Sequence, residues 1–212
     1  SSGKIGKALS FDGKDDYLGA RSATIITNAI TAEAWVYPVG LGNTDVPSNG
    51  YTIFGERNAY DYHRLYWDSG SNKFKFVVDS ISAPGTATST TTVSYNQWYH
   101  LIGTYDGSQV KIYVNGILEN TQNFTGPLAP GIEAPAIGRN SLGTNLRYFN
   151  GTIDEARIYN RALSSDEVKR NYGNGANGKQ IIYSKIPSKN EANTYVISAE
   201  NITAVSAAPI VQ

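Results

Sequence analysis

WYHLIGTYDGSQVKIYVNGIL, residues 98–118, decides the architecture. Two strand-like runs, 98–105 and 110–114, are joined through Asp106-Gly107-Ser108, and Asn115-Gly116 then turns the chain into Ile117-Leu118. A two-residue hairpin needs positive φ at both turn positions, which Asn-Gly tolerates best, so 110–118 is expected to be a tight β-hairpin. Val110, Ile112 and Val114 point one way along the strand and Lys111 and Tyr113 the other, which predicts one buried and one solvated face. Just upstream, KFKFVVD (73–79) repeats the pattern: Phe74, Phe76 and Val78 share one face, and Lys73, Lys75 and Asp79 the other. Further short strands are expected near 8–11, 17–20, 33–37, 51–55, 64–67, 88–93, 136–138 and 151–159, separated by turn residues. The reading is an all-β, two-sheet antiparallel sandwich.

One short helix interrupts the strands. Ser164-Ser165-Asp166-Glu167 forms a capping box, with Leu163 and Val168 as the hydrophobic staple around it. Gly173 is expected to stop the helix after a turn or two, and 173–178 (GNGANG) reads as a flexible linker. This divides the chain into a domain over 1–172, a linker over 173–178 and a C-terminal tail over 179–212. Within the tail, Tyr195-Val196-Ile197 and the stretch from Ile202 to Val205 have strand character.

Composition excludes several functions. Lys+Arg and Asp+Glu balance at 18 each, and no basic run offers a footprint for nucleic acid. Cysteine is absent, which removes disulfides, thiolate metal sites and a cysteine nucleophile. No apolar stretch is long enough to span a membrane. Methionine is absent even at position 1, which fits a chain trimmed from a longer precursor. The 15 tyrosines, with many Thr, Ser, Asn and Gly, are a palette of strands and polar loops common on extracellular surfaces.

Five segments in order resemble the laminin G-like, concanavalin A-like jelly-roll domains of surface proteins: GKALSFDGKDDYL (6–18), TAEAWVYP (31–38), WYHL with GTYDG (98–107), IYVNG (112–116) and GTIDEARIYNRALS (151–164). The resemblance covers about 3–172 and leaves the tail without a counterpart. It implies a jelly-roll with binding at a face or loop rim, but no particular ligand, because the scaffold hosts lectins, adhesion modules, enzyme appendages and structural domains. Trp35 and Trp98 belong to the family pattern and are expected in the core.

Related sandwiches that hydrolyse polysaccharides alternate carboxylates along one strand, so that acid and nucleophile share a face. Here Asp154 and Glu155 are adjacent and would point to opposite faces, and Glu155 with Arg157 reads as a surface ion pair. His100 lies within an expected strand and reads as a hydrogen-bonded structural residue, and His63, read as a loop residue, is expected to be exposed. No enzyme is expected. For a metal, Asp12 and Asp16 of the DGKDD loop offer oxygen ligands suited to Ca2+, with Asp154 placed to approach them; the alternative is a simple solvated turn. For a ligand, the stretch from Arg57 to Arg64, with Arg57, Asn58, Tyr60 and Tyr62 as its binding groups and Trp67 extending it, combines sugar-stacking rings with planar hydrogen-bonding groups. A second polar loop runs from Asn140 to Arg147 with Arg139 at its base. Asn123, Asn150 and Asn201 head N-glycosylation acceptor triplets.

Two functions remain open. The first is an extracellular, non-catalytic structural or adhesive subunit. It would self-associate through strand addition by Tyr195, Val196, Ile197, Ile202 and Val205, giving a filament or surface assembly whose partners are copies of itself. The alternative is a lectin-like module that binds glycans through rim loops.

Overall fold

The computed structural model describes residues 1–19, 28–42, 50–57, 62–80, 83–131, 134–140, 147–178 and 194–196. The first seven strands are β1 (Leu9–Asp12), β2 (Leu18–Gly19), β3 (Ile30–Pro38), β4 (Gly50–Arg57), β5 (Tyr62–Asp68), β6 (Lys73–Asp79) and β7 (Pro84–Thr92). They are followed by β8 (Tyr99–Tyr105), β9 (Gln109–Val114), β10 (Ile117–Asn123), β11 (Ala136–Ile137), β12 (Asn150–Tyr159), the helix α1 (Ser165–Ala176) and β13 (Thr194–Val196). One sheet runs β1-β12-β3-β8-β9-β10, with β13 also paired to β12; the other runs β2-β11-β4-β5-β6-β7. The all-β jelly-roll sandwich with one short helix is therefore the fold.

The alternation read from sequence builds the core. Ile30, Ala32, Ala34 and Val36 of β3, with Leu101 and Tyr105 of β8, face Leu65, Trp67, Phe74, Phe76 and Val78 from the opposite sheet. Gly103 lies between Leu101 and Tyr105 because a Cβ there would stand 2.1 Å from the Phe76 ring. The hairpin is as expected, with Asn115 at φ 51° and Gly116 at φ 78° joining β9 to β10. At the far edge, β10 caps the free backbone of β7: Glu119 accepts from the Thr90 and Thr91 amides at 2.9 Å, and Asn120 donates to the Thr88 carbonyl. Side chains thus close one edge that would otherwise invite a foreign strand.

The capping box of α1 is present, and Leu163 and Val168 join Ile102, Tyr113 and Tyr159 in a second small core. Arg161 grips Glu167 at 2.8 and 2.7 Å, and this pairing holds the Glu167 carboxyl down to about 2. Two expectations need correcting. The helix does not end at Gly173 but continues to Ala176, which absorbs most of the supposed linker. A Cβ at Gly175 would lie 2.3 Å from the Trp35 indole nitrogen, so this glycine lets the helix seat on the sheet. Consequently Tyr113, read as facing solvent, is 5% exposed beneath α1.

Candidate functional site

The outer face of the seven-stranded sheet carries buried charge, but that charge is spoken for. Glu33 accepts from His100 Nε2 at 2.9 Å, from the Tyr159 hydroxyl at 2.7 Å and from Asn171 Nδ2 at 3.1 Å. Arg157 stands 3.7 Å from the same carboxylate and also pairs with Glu155. Burial alone would raise the Glu33 pKa, yet His100, Arg157 and Tyr159 together hold it below the usual range. Asn171 belongs to α1, so the network ties helix to sheet. His100 is the hydrogen-bonded structural residue expected, and Glu155 does pair with Arg157. That pair is buried rather than on the surface, and a bulge between Asp154 and Arg157, with Glu155 at φ 50°, breaks the strand alternation there. Trp35 is buried but on this outer face, stacked on Tyr172 at 5.7 Å, and Trp98 is only half-buried against Tyr37.

The outer face of the six-stranded sheet is built differently. In the ladder, Gly19, Ala136, Gly55 and Arg64 stand side by side on β2, β11, β4 and β5. The small residues seat the turn after β11: a Cβ at Gly55 would meet Asn140 Cα at 3.0 Å and the Arg139 carbonyl at 3.3 Å. That turn delivers Arg139 over the Tyr17 ring, 3.4 Å from its centroid. On the other side of Gly55, Arg64 covers the Tyr66 ring at 4.1 Å. Asn140 Oδ1 accepts from the Arg147 amide at 2.7 Å, which brings the two ends of the second polar loop together. Arg139 is 7% exposed, whereas the Tyr17 ring it lies on belongs to a residue 46% exposed. Burial pushes the Tyr66 phenol up, while Arg64 and Lys75 draw it down. Two planar cations, each stacked on a tyrosine, therefore flank one turn.

Several predicted site residues lie elsewhere. Trp67 does not extend a ligand surface; it is 2% exposed in the inter-sheet core and its indole N–H donates to Asn72 Oδ1. Arg57 and Tyr62 face each other across the β4–β5 ladder; their side chains, and Asn58 and Tyr60 entirely, lie outside the described residues. His63 is not exposed. It is fully buried in β5, accepts at Nδ1 from the Asp79 amide and donates from Nε2 to the Ala129 carbonyl, and burial lowers its pKa.

Asp12, Asp15 and Asp16 bring one oxygen each within 4.8 Å of one another on the surface. Asp12 Oδ1 also accepts from the Lys14 amide at 2.8 Å, and Asp16 from the Asp12 amide at 3.0 Å. Asp154 does not join them. It is 5% exposed and accepts from the Ile5 amide at 2.9 Å, and burial raises its pKa. Asp15 takes the third place instead. Among the acceptor triplets, Asn123 is exposed, Asn150 donates to the Leu41 carbonyl at 2.8 Å, and Asn201 is outside the described residues. Tyr195 and Val196 lie in β13, which pairs with Ile158 and Arg157 of its own chain; Ile197, Ile202 and Val205 are outside the described residues. Among the described residues, no helix is long and apolar enough to cross a membrane.

Sequence reasoning included Arg64 in a candidate loop and Arg139 at the base of another, but missed Tyr17 and Tyr66. The signal for Tyr66 was present: with Leu65 and Trp67 inward, Arg64, Tyr66 and Asp68 must share the outer face.

No curated protein matches the chain. Among solved structures it is similar to the heptameric SAP-like pentraxin of Limulus polyphemus, with 16% identity, TM-score 0.62, and 89% of this chain and 90% of that one covered. Domain 4 of AbnA, an extracellular arabinanase of Geobacillus stearothermophilus solved in complex with arabinotriose, is 24% identical at TM-score 0.51, covering 80% and 78%. A Bacteroides ovatus protein is 18% identical at TM-score 0.59 over 77% of this chain; the match spans 46% of that protein, less than half its length. These likenesses are of fold. Residues 12–169 match the concanavalin A-like lectin/glucanases superfamily, and with both sheets in place the chain belongs to that family.

Proposed function

We propose that this chain is a non-catalytic, extracellular saccharide-binding module, and that the outer face of its six-stranded sheet is the binding surface. The observation that carries this is the pair of guanidinium–ring stacks, Arg139 on Tyr17 and Arg64 on Tyr66, on either side of one turn. A sugar ring offers a flat C–H face and a rim of hydroxyls, which the exposed Tyr17 ring and planar N–H donors complement. The arabinotriose complex of the AbnA domain supports the reading by analogy of scaffold. The non-catalytic part is supported by the burial of Glu33 and Glu56, at 2% and 0% exposed, and by the pairing of Glu155 with Arg157.

The test is a glycan array followed by titration of the best oligosaccharide. Tyr17→Ala removes an exposed ring, so the fold is retained, and affinity is expected to fall about tenfold, or ~1.4 kcal/mol. An array that retains no glycan, or a Tyr17→Ala protein that binds unchanged, refutes the proposal.

Calcium belongs to the same proposal as a structural ion at Asp12, Asp15 and Asp16, whose oxygens suit a hard cation. A second reading is self-association through the tail; β13 pairs with β12 of its own chain, the fold-back arrangement of a monomer, and it is the exchange of this strand between copies that the reading adds. The same strand addition made on a neighbouring copy would join copies head to tail, and repetition would give a ring or filament. Deleting 179–212 tests it: assemblies seen by light scattering of the full chain should vanish while the sandwich stays folded. A full-length protein that is monomeric at high concentration rejects it.

A further inference from the structure

We infer that the saccharide bound at this face carries a carboxylate, so that the ligand class is an acidic glycan; this rests on the saccharide-binding reading above. The carrying observation is unpaired cationic N–H groups. Arg64 Nε and Nη1 and Arg139 Nε are each shielded from solvent and have no hydrogen-bond partner. Among the described residues no carboxylate forms an ion pair with either guanidinium. On β5 itself, Asp68 is taken by Lys75 at 2.6 Å and by the Ser71 hydroxyl. Lys73 is engaged too, with Thr92 Oγ1 at 2.8 Å.

Buried polar groups nearly always have partners, and an orphaned charged donor is the costliest exception. Three such donors come from two residues whose backbones flank one glycine. Arg64 is the ladder partner of Gly55, and the Arg139 backbone lies over that glycine. Thr52 Oγ1, also buried without a partner, lies beside them, since Thr52 Cγ2 stands 3.0 Å from the Cβ position of Gly55.

The tyrosine rings already occupy a face of each guanidinium, which leaves the planar edges for a ligand. A guanidinium edge matches a carboxylate oxygen pair bidentately and supplies opposite charge. A neutral sugar hydroxyl satisfies one N–H at a time and leaves both charges uncompensated. Because the nitrogens are shielded, binding requires a local shift of the groups packed around the two guanidinium heads.

The test compares acidic and neutral forms of the same skeleton by isothermal titration. The probes are trigalacturonate and its methyl ester, and sialyllactose and lactose, which separate a uronic acid from a sialic acid as the source of the carboxylate. At least one acidic member is expected to bind ten times or more tightly than its neutral counterpart, with affinity falling as salt rises. Arg139→Gln and Arg64→Gln, checked for fold by circular dichroism, are expected to abolish that preference. Equal binding of acidic and neutral forms, or binding of neutral arabinotriose alone, overturns the inference and leaves the saccharide reading standing. Absence of binding to every probe and to a neutral glycan array overturns both. The wild-type comparison of acid with ester decides the matter even where an arginine variant fails to fold.

Discussion

Replacing Glu33 with glutamine keeps the shape of the side chain and removes its charge. In the folded protein that carboxylate accepts from His100, Tyr159 and Asn171 at 2.9, 2.7 and 3.1 Å and faces Arg157 at 3.7 Å. The amide can accept at one atom only, so a former donor, His100 or Tyr159, must turn acceptor, and Arg157 loses the charge it faces. Breaking a buried charged pair on one side costs about 3–5 kcal/mol. For a chain of this size that corresponds to a Tm lower by roughly 6–20 °C. The effect must depend on pH in a stated direction. Folding lowers the Glu33 pKa from an ordinary 4.5, so the ionised form stabilises the fold. That contribution is complete above the ordinary value and is lost as pH falls through the lowered folded value. The gap in Tm between wild type and Glu33→Gln, followed by circular dichroism, should therefore be widest at neutral pH and shrink in acid. Amide exchange in α1 should rise with it, because Asn171 is the helix's hold on Glu33. A variant melting within ~2 °C of wild type at pH 7, or a gap that does not move with pH, would refute the reasoning.

Two glycines of the same helix should respond oppositely. Gly173 has nothing within 4 Å of its Cβ position, so Gly173→Ala is expected to raise stability by about 0.5–1 kcal/mol. Gly175→Ala drives a methyl into the Trp35 indole and should cost about 1–3 kcal/mol, read as a lower denaturation midpoint. Gly103→Ala meets the Phe76 ring at 2.1 Å and is expected to lower Tm, or to yield insoluble protein, more severely than Gly175→Ala. If calcium binds the Asp12 turn, it should stabilise by roughly 2.7 kcal/mol at a hundredfold excess over Kd. Chelator should then lower Tm and Asp12→Ala should remove the difference, so superimposable melts with and without chelator reject the ion.

The strands were legible because their signals are local. KFKFVVD alternates every residue and β6 has those bounds, and the hairpin at Asn115-Gly116 and the Ser164 cap each need only four neighbouring residues. What failed was everything decided by a partner distant in the chain. Tyr113 reads as exposed until a helix starting 52 residues later lies on it. Gly173-Asn174-Gly175 reads as a linker by propensity, but Gly175 is small because Trp35 is in the way, and tertiary packing overrides the local preference. His63 and Trp67 were placed on a surface because Tyr60, Asp61 and Tyr62 precede them. Strand β5 continues through them with odd positions inward, which puts both in the interior. The binding face was only half legible for the same reason. Arg139 and Tyr17 are distant in sequence and meet because the two-residue strand β11 slots between β2 and β4, a pairing that no local pattern announces.

The two outer faces of the sandwich explain why binding is assigned to one and not the other. On the seven-stranded sheet the buried acid Glu33 meets a cation and three hydrogen-bond donors, and α1 roofs the whole. Charge there is balanced within the protein, and its effect is on stability. On the six-stranded sheet Arg139 is buried and Arg64 half-buried with shielded N–H groups, and among the described residues each lies on a ring face and neither pairs with an acid. A tyrosine face attracts a cation without neutralising it. Desolvated positive charge without a counter-charge is unfavourable for folding alone, and a ligand that brings the missing acceptor recovers that cost on binding. The same kind of residue thus holds the helix on one face and leaves a demand for a partner on the other.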